Sequence, residues 1–297
     1  MFDRLKAIPI LSAIFFVNML FRWVSLTSIW KLGECLGSLC YHLMSERRSV
    51  IETNLTIVSQ ATGNFSPNKQ LVKAVFQRNC ANLTCSLKTY GMTPEQLADY
   101  VTIDISPEFS QAIHSGKGAI LCLAHMGNWE ILTKIAPLVE PSPKQFGAVY
   151  RPLDSKTADH YVAKQREKYG CQMFSKKAGV STLSNFIRNG GILGILADQR
   201  AGKARKTNRP FFGVDSARSK LPAVLHLRTG APLFTVAVSS PKDGRWLIEI
   251  KKLPKASHDS ESILSTITAG YESAFSEHLL DVFWMHRYWK IKGNSPR

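Results

Sequence analysis

Acidic residues are scarce in this 297-residue chain: 22 Asp and Glu stand against 38 Lys and Arg, a net charge of +16. A globular chain so short of acid is expected to meet an anionic partner, whether nucleic acid, a phosphorylated substrate or an anionic membrane. Nucleic acid is set aside. The basic residues are spread along the sequence, with no long basic tail and no zinc-finger, RNA-recognition or helix-turn-helix signature. None of Cys35, Cys40, Cys80, Cys85, Cys122 and Cys171 forms a C-x-x-C pair, which argues against a zinc site and for a reduced, cytoplasm-facing body. The chain also lacks internal repeats, low-complexity segments, a convincing linker and the G-x-S-x-G elbow of serine hydrolases. The apolar run over residues 7–21 falls short of the roughly 20 residues a spanning helix needs. It is weakened further by Pro9 and Asn18, and no small-x-small cleavage site follows it.

What is present suffices for a sizeable core, since 44% of the residues are hydrophobic. The N-terminal run has basic flanks and continues into an amphipathic stretch, Trp23 to Met44, so it is expected to lie in, or dip into, the bilayer face, a core helix hairpin being the alternative. Residues 1–45 are therefore read as membrane-anchoring helices and 46–297 as one α/β body. Apolar spacing predicts helices from Glu46 and over residues 70–90, 108–115, 157–169, 178–188, 219–228 and 262–280. Short apolar runs predict strands over 101–105, 119–124, 145–149, 171–174, 192–196, 232–238 and 246–251, the last as an outer, antiparallel strand. That alternation predicts an α/β fold with a mainly parallel central sheet flanked by helices. Arg200 to Arg209 reads as a basic loop, either solvated or open to phosphate or anionic lipid.

The chemistry concentrates at Ala119 to Glu130. An apolar run ends in His125-Met-Gly-Asn-Trp-Glu130 and a short helix follows. Such a strand-to-helix switch puts polar side chains at the carboxyl end of the sheet, where open α/β sheets bind ligands. A continuous helix would splay His125 and Glu130 apart, but a Gly127-Asn128 turn lets the chain fold back. The two are expected to pair as a general base and its orienting carboxylate, with helix-start N–H groups ready for an oxyanion. The bland alternative is a structural histidine beside a first-turn acid serving the helix dipole.

Several ordered blocks accompany this motif: Arg47-Arg48, Asn54-Leu55, Tyr150-Arg-Pro152, Asp198-Gln199, Phe211-Phe-Gly213, Thr229-Gly-Ala-Pro232 and Trp284-Met-His-Arg287. Together they resemble the bacterial lipid A biosynthesis (lauroyl/myristoyl) acyltransferases of the lysophospholipid-acyltransferase-like superfamily. The resemblance implies a glycerolipid-acyltransferase-like fold on the cytoplasmic side of the cell inner membrane. It implies transfer of a fatty acyl chain from an acyl carrier protein or CoA thioester to a hydroxyl of an anionic lipid A precursor, without metal, further cofactor or covalent acyl-enzyme. Carried over by position, His125 is the general base assisted by Glu130, and Asn128, Arg151, Asp198, Gln199 and Arg287 contact substrate. Acylation of another glycolipid or glycerolipid, or an inactive lipid-binding protein, are the alternatives. The chain departs from the family pattern at Tyr288, where a second arginine is common after the histidine. It also departs over residues 278–282, which lack a Pro-Glu, and at Val214 to Arg218.

Overall fold

A computed structural model describes residues 16, 19–201 and 206–290, with backbone alone for 206–208. Most of the apolar run over 7–21 lies outside the described residues. Helices α1 (Leu26–Leu43), α2 (Ser45–Thr62), α3 (Lys69–Gly91) and α4 (Pro94–Ala98) precede strand β1 (Val101–Ile105) and α5 (Pro107–His114). Then follow β2 (Ala119–Leu123), β3 (Phe146–Tyr150), α6 (Lys156–Glu167), β4 (Cys171–Ser175), α7 (Val180–Arg188) and β5 (Ile192–Leu196). The remainder is a hairpin of β6 (Lys206–Phe211) and β7 (Val214–Ser219), then α8 (Leu221–Thr229), β8 (Leu233–Lys242), β9 (Arg245–Lys252) and α9 (Ser260–Glu277).

Seven strands form one sheet in the order β1-β9-β8-β2-β5-β3-β4. Every neighbouring pair is parallel except β8 and β9. The predicted mixed α/β fold with a mostly parallel sheet is therefore what forms. β2 lies between β8 and β5 and is buried along its whole length, which is why it reads as a continuous apolar run. β9 differs from its expected place. It is antiparallel to β8, but β1 lies outside it, because Trp246, Ile248 and Ile250 are buried on one face. The β6–β7 hairpin was hidden by its basic residues. Its two-residue turn, Phe212-Gly213, has φ of 50° and 74°, the left-handed pair that matches strand twist.

Side chains alternate between two apolar layers. Ile120 and Cys122 pack with α7, α8 and α9 through Ile187, Leu225 and Phe275. Ala119, Leu121 and Leu123 face Trp30, Phe109, Ile131 and Leu132 on the other side. Phe211, Phe212, Trp284 and Trp289 are all core residues. Among the described residues, no helix is long and apolar enough to cross a membrane.

α1 packs tightly along α3 because Gly33 and Gly37 carry no Cβ. A Cβ at Gly33 would come within 2.4 Å of the Ala81 Cα, and one at Gly37 within 2.5 Å of the Gln77 Cα. Gly33→Ala is expected to force the helices apart and lower stability by about 1–3 kcal/mol. Urea denaturation measures this, and an unchanged midpoint would refute the close contact.

Candidate active site

The site grows out of strand register. β2 and β5 run parallel with Leu123 opposite Leu196. Extending both strands by two residues sets His125 opposite Asp198 at the carboxyl edge of the sheet. Asp198 grips the histidine twice: Oδ1 lies 2.7 Å from Nδ1, and Oδ2 accepts the His125 backbone N–H at 3.0 Å. Gly127 then turns the chain with φ of 55°, where a Cβ would strike the Val238 carbonyl oxygen at 2.4 Å. Only glycine fits that conformation and that approach together.

Asp198 is fully buried, and its side chain also accepts the Tyr288 hydroxyl at 3.1 Å. Arg218, itself buried, donates to the Asp198 carbonyl oxygen, and its guanidinium stands 3.6 Å from the Phe211 ring centre. Burial alone would raise the Asp198 pKa, but His125 and Arg218 more than offset it and hold the carboxyl below its ordinary value. For His125, burial works against the charged form, yet the Asp198 charge and hydrogen bond, with a smaller contribution from Glu130, leave its pKa raised. With Asp198 ionised, Nδ1–H must be the donor in the pair. That leaves the lone pair on Nε2, and the side chain is 20% exposed. A ring held in this tautomer can accept a proton at Nε2.

A buried polar framework fixes the loop beneath. The His125 carbonyl oxygen accepts Phe283 N–H at 2.9 Å, and Gly127 N–H donates to the Asp281 carbonyl oxygen at 2.8 Å. Asp281 is held by Asn82 on α3 at 3.3 Å and by the Ser240 N–H at 3.1 Å. Asn54 on α2 donates to the carbonyl oxygens of Trp284 and His286 at 2.9 and 2.8 Å. Lys134 caps the end of α3, donating to Thr89, Tyr90 and Met92 carbonyl oxygens, and burial with nearby Lys168 brings its pKa down to about 8. In sequence Asn82 and Lys134 read only as helix polar positions, and Asn54 as part of the Asn54-Leu55 block.

The expected hydrogen-bonded pair of His125 and Glu130 does not form. Residues Trp129–Lys134 make a 3-10 helix, and both Glu130 carboxylate oxygens accept Arg166 Nη2 of α6 at 3.0 Å. Asp198, read from sequence as a substrate contact, takes the orienting place instead. The available signal was that both strands end two residues before a polar group. Asn128 is also turned to the scaffold: it is buried and donates to the Thr89 hydroxyl at 3.0 Å. Arg151 is exposed just beyond β3, on the same sheet edge and two strands from β2. Gln199 is half-buried beside Asp198. Arg287 binds Glu46 on α2 at 2.8 Å and ties the C-terminal block to that helix.

Two grooves, of about 440 and 580 Å³, flank α9, and His125 lines neither. Among the described residues, Glu249, Glu277 and His278 have ligand atoms within 4.8 Å of one another, as a metal would require. Lys251 bridges these two carboxylates at 3.0 and 2.8 Å and already supplies the cation.

Residues 2–291 match the family described as bacterial lipid A biosynthesis acyltransferase. The chain belongs to this family. Membership makes it an acyltransferase of lipid A biosynthesis, and it covers both the His125 loop and the C-terminal block that braces it. No curated protein matches the chain.

Proposed function

We propose that this lipid A acyltransferase moves a fatty acyl chain from an acyl carrier protein or CoA thioester to a hydroxyl of a lipid A precursor, with His125 as general base. The observation that carries the reading is the His125–Asp198 pair, whose geometry leaves Nε2 free to take a proton. The acceptor oxygen attacks the thioester carbonyl carbon while Nε2 removes its proton. The carbonyl electrons move onto oxygen, and the tetrahedral intermediate collapses to an ester. The departing thiolate takes the proton back from His125. A positioned base of this kind contributes about 10²–10⁴-fold.

Glu130 assists from a distance as one unit with Arg166, its charge favouring the imidazolium that forms. Glu130→Gln and Arg166→Gln should each lower kcat/KM, and the double variant should be little worse than the poorer single. Fully multiplicative losses in that cycle would separate the two residues. Exposed Arg151, with Gln199 beside the base, suits an anionic headgroup.

A bilayer surface at the inner membrane, with the catalytic body on the cytoplasmic side, fits the outer face of α1. Leu32, Leu36, Leu39 and Leu43 recur there at helical spacing and are exposed, Leu43 at 72%. Trp23 stands out nearby in sequence, at 86% exposure. Incubating purified protein with radiolabelled acyl carrier protein or CoA thioester and either lipid A precursor or glycerolipid acceptors tests the assignment. Ester product on the lipid A precursor is expected, and turnover confined to glycerolipids would overturn the acceptor.

A further inference from the structure

We propose that His286 is a second active-site imidazole, one that hydrogen bonds without charge to the thioester carbonyl oxygen as that atom becomes an oxyanion. The inference rests on the acyl-transfer reading and deepens it. The backbone around His286 is held from several sides. Asn54 binds the Trp284 and His286 carbonyl oxygens, Arg47 donates to the Met285 carbonyl oxygen at 3.2 Å, and His286 N–H donates to Phe283 at 3.2 Å. This places the ring edge-on against Tyr288, with centroids 5.4 Å apart and planes at 84°. The Tyr288 hydroxyl in turn sits on Asp198, the partner of His125. His286 is thus one aromatic ring away from the proposed base pair.

Its Nε2 is buried and makes no hydrogen bond among the described residues. An unsatisfied buried polar atom costs about 1–3 kcal/mol, so a partner from outside the chain would stabilise the ring. A substrate seated over His125, whose side chain is 20% exposed, would supply one. The surroundings also suit a neutral donor. Burial, followed by the positive charges of His125, Arg200 and Arg47, outweighs the pull of Asp198 and brings the His286 pKa down to about 4. Such a ring is too weak a base to compete with His125 for the acceptor proton, yet it can donate an N–H. In the transfer step it forms and breaks no covalent bond: it donates while the carbonyl oxygen holds the electron pair and lets go when the C=O reforms.

Three measurements decide the matter. In His286→Phe, which keeps an aromatic ring against Tyr288, kcat should fall by about 10²–10³-fold, the scale of one oxyanion donor, with KM little changed. His286→Gln, which restores an N–H, should recover at least about tenfold of that loss. In the native enzyme with isotope-labelled histidine, an alkylphosphonate mimic of the oxyanion should shift the His286 ring N–H resonance downfield. Wild-type kcat in His286→Phe, equal losses in both variants, or an unmoved resonance would each overturn the role. Failure of the acyl-transfer reading would look different, because the native enzyme itself would then turn over no acyl thioester.

Discussion

Asp198→Asn is expected to cost on the order of 10⁴ in kcat, the scale of a carboxylate-to-amide change behind a catalytic imidazole. The reason lies in the donors around it. The His125 backbone N–H and the Tyr288 hydroxyl both point at one side-chain oxygen, Oδ2. In the variant those two donors claim the single amide oxygen, so the amide NH₂ faces His125 Nδ1. Nδ1 must then accept, the ring proton moves to Nε2, and the base is blocked. The pH profile should move as well. The free base requires neutral His125, so native activity should rise with pH through a midpoint above the ordinary imidazole value of about 6.5. Removing the Asp198 charge, which favours the imidazolium, should shift the limb of the residual activity to lower pH. Steady-state kcat/KM between about pH 5 and 9 reads both effects. An unmoved limb together with near-native kcat would remove Asp198 from the mechanism.

His125→Ala should lower transfer by at least about 10²–10⁴-fold. The chain should remain folded, because Asp198 keeps the Tyr288 hydroxyl and the backbone N–H of residue 125. Some stability should be lost, about 1–3 kcal/mol, since a buried carboxylate gives up its ring donor. Single-turnover transfer from a radiolabelled acyl thioester, with thermal melting as a control, separates the two effects. A folded His125→Ala enzyme at full rate would mean that another group takes the proton.

The strands that build the site could be read before any coordinates, because buried parallel strands announce themselves as short apolar runs. Residues 119–124 and 192–196 differ from β2 and β5 by one residue at most. The β6–β7 hairpin could not be read in this way, as its strands carry Lys206, Arg209, Asp215 and Arg218 in place of an apolar alternation. Its turn places Phe212 where asparagine or glycine is usual. Tyr288 stood out only as a departure from a family pattern. Its hydroxyl proves to be one of the groups that hold Asp198.

Local composition and spacing determined most of the elements, the α/β class and the presence of a histidine at a strand end. They did so because burial and backbone geometry leave periodic traces within a few residues. Which carboxylate orients that histidine was decided only by the tertiary structure. Glu130 is five positions from His125 and binds Arg166, whereas Asp198 is 73 positions away and binds the ring. Hydrogen bonding depends on distance through space, and the pairing of β2 with β5 brings those distant positions together.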